Sequence, residues 1–221
     1  MDFQKQTYSL QVNQYIRKLI QQGKLRPGDP IKEAELSQML GISRAPIREA
    51  LQILVQEGLV SAEPQKGKTI RILTPKEILN GYSISAILES EGIIMSLHLW
   101  TEEDYNDLSH ILETIKDKSS KVKDVDELQE LDELLHNMLL SHCDNEQLIQ
   151  MSRLSCSNIS KFLCYPYWRA ISDPSHFYER HKAVVDAIFT KDPEIIRKTI
   201  HYHYNEIAQI ISKHVEQDIK A

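Results

Sequence analysis

The sequence predicts a mainly α-helical protein of two domains, residues 1–73 and residues 74–221. Six of the seven glycines precede residue 82, so turns are concentrated in the first third of the chain. Apolar residues recur at helical spacing elsewhere, and no segment after residue 73 alternates like a strand. A chain of 221 residues with 41 % hydrophobic residues is also long enough to bury a core.

The first domain is predicted to contain three helices followed by two short strands. Gly41 lies between the second and third helices, where it allows two helices to cross closely. The strands flank a segment that contains Pro64 and Gly67. The predicted helices and strands are residues 6–22, 33–40, 44–56, 59–62 and 69–73. This order predicts a winged helix-turn-helix domain.

The second domain is predicted to begin at a helix-capping signal. Thr74 can cap the helix, Pro75 occupies its first position, and Glu77 completes a capping box. Similar start signals recur at Thr101 and Asp192. The predicted helices are residues 75–99, 102–118, 124–142, 145–164, 174–190 and 193–217. The domain is therefore expected to be an all-α antiparallel bundle of about six helices.

The net charge of −6 is unevenly divided between the two domains. Residues 1–73 contain 11 Lys and Arg against 7 Asp and Glu, a net charge of +4, whereas the remaining chain carries −10. A small basic domain joined to an acidic one is typical of a polyanion binder with a second function. Ordinary variation between two protein surfaces is the alternative.

The third predicted helix has a polar face suited to a DNA major groove. Arg44, Arg48 and Gln52 follow one another along it, and arginine can bind guanine with two hydrogen bonds. Ser43 and the helix N-terminus can hold a phosphate. At the wing tip, Lys66 and Lys68 flank Gly67 and could approach the minor groove. The alternatives are a merely solvated helix face, or a winged helix that binds protein.

Four residues of the second domain resemble the ligand set of a metal site. Asp132 and His136 are four residues apart and share a helix face that is otherwise apolar. His181 and His203 lie on apolar stripes of two other helices. Three inward imidazoles and a carboxylate could bind zinc, nickel or manganese. Core histidines with local hydrogen bonds are the alternative.

Several function classes lack support in the sequence. The N-terminus has no signal-peptide core, and no apolar stretch is long enough to span a membrane. The three cysteines show no metal-ligand spacing and are interpreted as the reduced thiols of a cytoplasmic protein. We find no nucleotide-binding or hydrolase motif.

The first domain resembles the GntR family of bacterial transcription regulators. The segment SRAPIREAL over residues 43–51 is a long and specific match. The matching residues are 33–36, 40–51, 54, 57–60 and 67. The resemblance implies that Ser43, Arg44, Ala45 and Arg48 contact operator DNA and that Gly67 lies in the wing at the minor groove. Many relatives carry Arg where this chain has Ala34.

Residues from Thr74 onward resemble the FCD ligand-binding domain of the FadR subgroup. The matching pieces include Leu88-Glu89, Asp132-x-x-Leu135-His136, Glu179-x-His181 and His203. The resemblance implies that Asp132, His136, His181 and His203 bind a divalent metal and that a small carboxylate effector completes its coordination. Ser85 and Glu89 are the candidate effector contacts. Many relatives have Arg in place of Ser85.

Together the two resemblances imply a ligand-responsive repressor that binds a short inverted repeat of double-stranded DNA as a homodimer. Two alternatives remain open. In the first, the metal ion itself is the signal and the protein is a metal sensor. In the second, the cluster activates a water molecule in a metalloenzyme with an appended winged-helix domain, although no general base stands clearly beside it.

Overall fold

The computed structural model describes residues 8–63, 67–122, 125–158, 162–165, 167 and 173–220. The chain forms two compact units. One contains the described residues of 1–73 and of 157–166. The other contains the described residues of 74–156 and those from 167 onward. The fold is mainly α-helical with one small sheet, as the sequence predicted.

The first unit has three helices around an apolar core. They are α1 (Tyr8–Gln21), α2 (Glu33–Leu40) and α3 (Arg44–Gln56). Ile16, Ile47 and Leu51 are completely buried, because helical spacing places them on inward faces. Gly41 ends α2 with a φ of 66°, a left-handed conformation that few other residues adopt.

The sheet of the first unit has three strands, one more than the sequence predicted. They are β1 (Pro30–Ile31), β2 (Val60–Glu63) and β3 (Gly67–Ile70), in the order β1-β3-β2 with both pairs antiparallel. Strand β1 has only two residues, so it shows no alternation that could distinguish it from the turn before it. It pairs Pro30 with Thr69 and joins the wing to the start of α2.

The second unit consists of helices joined by short turns and loops, with no strand among its described residues. Its α-helices are α4 (Pro75–Ser96), α5 (Glu102–Ser119), α6 (Gln129–Leu139), α7 (Glu146–Asn158), α8 (Pro174–Thr190) and α9 (Pro193–Lys220). The helix predicted over 124–142 is shorter, because Val125–Leu128 form a 3₁₀ turn before α6. The predicted capping box at Thr74 and Glu77 is present, with both reciprocal hydrogen bonds. The extensive packing of α4 on α9 positions the site described below.

Candidate DNA-reading surface and metal centre

Helix α3 separates its residues into a buried face and an exposed face. Ile47, Ala50, Leu51 and Leu54 are completely buried. The opposite face carries the residues that the sequence singled out for DNA contact, and all of them are exposed: Arg44, Ala45, Arg48 and Gln52. Ser43 is exposed at the N-cap, and its side chain makes no capping hydrogen bond. These donors therefore face outward, where a polyanion can reach them.

Among the described residues of the wing, Lys68 is a cation close to Glu33 and Arg48. Gly67 opens β3 with a φ of 86° and is exposed, and Lys68 follows it half-buried. The Nζ of Lys68 lies 2.9 Å from Oε1 of Glu33. Lys66, also predicted to contact DNA, lies outside the described residues.

The contacts of Glu33, the first residue of α2, were not predicted from the sequence. Its Oε2 accepts a hydrogen bond from Nε of Arg48 at 2.7 Å, while its Oε1 accepts the one from Lys68. The hydrogen bond from Arg48, and then that from Lys68, lowers the pKa of Glu33, which keeps the carboxylate ionised. An acidic residue in a first helical turn is common, so its position in the chain does not indicate these contacts.

The second unit brings the three predicted histidine ligands together. His136 comes from α6, His181 from α8 and His203 from α9. One ring nitrogen from each histidine lies within 4.8 Å of the other two. Oδ1 of Asp132 lies 2.9 Å from Nε2 of His181 and 3.8 Å from Nε2 of His136. These four side chains form the histidine cluster.

His181 has more acceptors than a neutral ring can satisfy. Its Nδ1 is 2.7 Å from the carbonyl oxygen of Phe177, and its Nε2 faces the carboxylate of Asp132. Burial lowers the pKa of His181, so the ring is neutral and carries one proton. One of the two contacts therefore lacks a proton. With Nδ1–H donated to Phe177, the Nε2 lone pair and the carboxylate face each other, an arrangement that a divalent cation would relieve.

The Nδ1 atom of His136 contacts a buried carboxylate. Glu89 is only 2 % exposed, and its oxygens lie 2.9 and 3.0 Å from Nδ1 of His136. The hydroxyl of Tyr204 donates to the same carboxylate at 2.9 Å. Burial disfavours a charged ring, but the charges of Glu89 and Asp132 outweigh it and raise the pKa of His136 to about 9. Metal binding at Nε2 would keep the Nδ1–H bond to Glu89 intact.

His203 contributes a buried nitrogen with no hydrogen bond. Its Nδ1 finds no partner within the described parts of the chain. Burial, and next the charge of Arg180, lower the pKa of His203 well below its usual value, so the ring is neutral. Arg180 Nη2 donates to the carbonyl of His203 at 2.8 Å, and its Nε lies 3.0 Å from Glu206. A neutral imidazole is the form that binds metals.

The remaining predicted residues of this site are Asp132, Ser85 and Glu89. Desolvation would raise the pKa of Asp132, but the hydrogen bond with His181 and the nearby charge of His136 lower it to about 2. Ser85 is completely buried, with its hydroxyl 2.7 Å from that of Ser155. Glu89 is engaged with His136 and Tyr204. Effector contacts by Ser85 and Glu89 stay predictions.

The fold and the two sites define a winged-helix protein with a helical domain that holds a histidine cluster. Residues 8–70 match the model of the bacterial regulatory proteins of the gntR family, and residues 81–206 match the FCD domain. The chain belongs to the GntR family of bacterial transcription regulators and carries an FCD domain. Within the described residues, no helix is both long and apolar enough to cross a membrane.

Relatives with assigned roles are repressors and regulators of operons. The chain is 27 % identical to the gluconate operon transcriptional repressor of Bacillus licheniformis, over 92 % of this chain and 88 % of that protein. It is also 27 % identical to the Nta operon transcriptional regulator of Aminobacter aminovorans, over 84 % of this chain and 88 % of the other.

A solved structure confirms the fold over nearly the whole chain. The E. coli protein McbR/YncC superposes with a TM-score of 0.73 at 20 % identity, covering 95 % of this chain and 99 % of that one. A GntR regulator from Rhodococcus sp. RHA1 gives a TM-score of 0.69 at 20 % identity, covering 92 % and 96 %.

Proposed function

We propose that this protein is a ligand-responsive transcriptional repressor in which a metal ion helps to bind a small carboxylate effector. The observation that carries the DNA-binding part is the exposed polar face of α3, inside the region that matches the gntR family model. Repression is supported by the similarity to the gluconate operon transcriptional repressor of Bacillus licheniformis. A DNA-binding regulator of this kind would act in the bacterial cytoplasm.

On DNA, α3 would enter the major groove with Arg44 and Arg48 at base edges and Ser43 at a phosphate. Gly67 and its neighbouring lysines, Lys66 and Lys68, would approach the minor groove. Because one α3 reads only a few base pairs, a homodimer on an inverted repeat would supply the length and affinity that a genomic site needs. The domain assignment 1–73 for DNA and 74–221 for effector and dimerisation is part of this proposal.

The histidine cluster would hold a divalent transition metal, with zinc the best match and nickel or manganese as further candidates. Support comes from the chemistry of the donors. His181 and His203 are neutral, Asp132 is ionised, and Nδ1 of His203 has no hydrogen-bond partner among the described residues. Such an ion would bind the carboxylate of an effector directly.

The effector would change operator affinity only if it bound two conformations of the protein with different affinities, one of which binds the operator more tightly than the other. Coupling of this kind is typically about 1–3 kcal/mol, or 5- to 150-fold. The alternative of a metal sensor differs in one respect, since metal alone would then change operator binding. A metalloenzyme would instead turn over a substrate without any need for DNA.

DNA binding is tested by enrichment of random-sequence duplexes on the purified, tag-free protein. We expect a short inverted repeat to be enriched and to bind one dimer. Enrichment of no sequence would reject the proposal.

Metal binding is tested by elemental mass spectrometry of the same protein and of Asp132→Ala and His181→Ala variants. About one equivalent in the wild type, lost in both variants, is expected. Binding of the protein to the enriched duplex is then measured with metal alone, and again with metal and small carboxylic acids. A change with metal alone indicates a metal sensor, and a change that requires the acid indicates an effector-responsive repressor.

A further inference from the structure

Glu33 connects three elements of the winged helix-turn-helix unit through two ion pairs. It begins α2, bonds Arg48 Nε of α3 at 2.7 Å and bonds Lys68 Nζ of β3 at 2.9 Å. The side chain of Arg48 remains 64 % exposed, whereas those of Glu33 and Lys68 are 24 % and 23 % exposed. The carboxylate therefore lies beneath a cation that still faces outward.

The pairing leaves the base-reading part of Arg48 free. A guanidinium has five N–H donors in one plane, and Glu33 occupies only the one at Nε. The four donors on Nη1 and Nη2 have no partner among the described residues. Because the group is planar, fixing one edge also fixes the direction of the opposite fork. A bidentate contact to guanine uses two such donors.

The negative charge of Glu33 also affects how strongly this surface attracts DNA phosphates. Affinity for DNA without sequence preference depends on the number of phosphates that cations neutralise. Glu33 offsets the charges of Arg48 and Lys68 and therefore weakens attraction to an arbitrary duplex. Orientation of Arg48 strengthens contact with the correct base. The charge effect alone weakens binding to every duplex about equally. The orientation of Arg48 acts only where the correct base is present, so it is the effect that raises the ratio of specific to non-specific binding.

We propose that Glu33 is a positioning residue for sequence reading, which aims Arg48 and Lys68 and suppresses binding to DNA of other sequence. This inference rests on the proposed binding of a specific operator. The neighbouring acidic residue Glu35 supplies a matched control. It lies on the same helix and pairs with Lys32 at 2.8 Å, and both of these side chains are 63 % exposed.

The test uses full-length wild-type, Glu33→Gln and Glu35→Gln proteins. Each binds the duplex enriched by the wild type and a scrambled duplex of equal length, over a series of KCl concentrations. For Glu33→Gln we expect the affinity ratio between the two duplexes to fall about tenfold or more, while binding to the scrambled duplex is unchanged or tighter. Glu35→Gln should keep the wild-type ratio.

A double variant shows whether Glu33 acts through Arg48. In an Arg48→Lys background, the change Glu33→Gln should alter the ratio much less, because no planar fork remains to be aimed. A wild-type ratio in Glu33→Gln, equal tightening on both duplexes, or equal weakening with a lower Tm would each overturn the role of Glu33. If the wild-type protein enriches no sequence, operator binding itself is rejected.

Discussion

The exposed face of α3 and the histidine cluster both gather polar side chains, but their surroundings differ. Arg44 and Arg48 stand in solvent, whereas His181 and His203 are buried between helices. Exposed cations suit a large, charged partner that approaches from outside. Buried groups have shifted pKa values and suit a small ion that replaces their missing hydrogen bonds. Under the proposed function, the exposed face would bind DNA and the buried cluster would hold a metal ion and a small ligand.

The largest effect expected is loss of metal on removal of a ring from the cluster. His203→Ala should reduce metal content from about one equivalent to near zero, since a three-ligand remnant binds far more weakly. Elemental mass spectrometry measures this. His214→Ala is the matched control, because His214 lies on the same helix but is exposed, and its Nδ1 contacts the carbonyl oxygen of Ile210 one turn earlier. Full occupancy in His203→Ala would show that the cluster is not the metal site.

Metal affinity should also depend steeply on pH. The pKa of His136 is about 9 in the metal-free protein, so at pH 7 the metal must displace a proton from this ring. Apparent affinity is expected to rise about tenfold per pH unit from 7 to 9 and then to level off. Calorimetry in buffers of different ionisation enthalpy should show about one proton released per metal at pH 7. Release of none would contradict the charged state of His136.

The same pKa has a consequence for the metal-free fold. A histidine whose pKa rises on folding stabilises the folded state below its unfolded pKa of about 6.5, and this contribution disappears as the pH rises through about 9. The metal-free protein should therefore lose stability between pH 6.5 and 9 from this group. The metal-bound protein should not, because its His136 is already deprotonated.

On the exposed side, Arg48→Ala is expected to weaken binding to the enriched duplex by about 1–3 kcal/mol, roughly 10- to 150-fold. Arg48→Lys keeps the charge but not the planar fork, so it should recover binding to scrambled DNA without recovering sequence preference. Competition binding with both duplexes measures the two quantities. Unchanged affinity in Arg48→Ala would remove this residue from the interface.

The smallest effect is expected from a residue that contacts a neighbour of the histidine cluster without being a predicted ligand. Tyr204→Phe removes the hydroxyl that donates to Glu89 and leaves the ring in place. Metal affinity should fall by about tenfold, because partners of a metal-ligating histidine typically contribute 10- to 100-fold. Tyr202→Phe is the control, since Tyr202 is 66 % exposed on the same helix. An equal loss in both variants would indicate a general effect on α9.

Much of the fold follows from local chemistry that a sequence displays. The turn at Gly41 and the capping box at Thr74 each depend on a few adjacent residues, and both are where the sequence predicted them. The strand Pro30–Ile31 could not be predicted, because its pairing partner Thr69 is distant in the chain. The spacing of Asp132 and His136 indicated a shared helix face, although convergence with the other helices required the packed structure.

The supporting residues were harder to foresee. Glu89 was predicted as an effector contact from family resemblance, and the structure shows it bonded to His136 and Tyr204. Tyr204 and Arg180 adjoin the ligands His203 and His181 in the chain, but adjacency on a helix points side chains in different directions. Only the packing of α4, α8 and α9 brings them to the cluster.

The hydrogen bond between His181 and Phe177 has an evolutionary consequence. The acceptor is a backbone carbonyl one helical turn earlier, and every amino acid supplies that group at that place. Mutation at position 177 can change the size of the side chain without deleting the acceptor. His136, in contrast, depends on the side chain of Glu89, which a single codon change can remove. As related chains diverge, the orientation of His181 should therefore persist longer than that of His136.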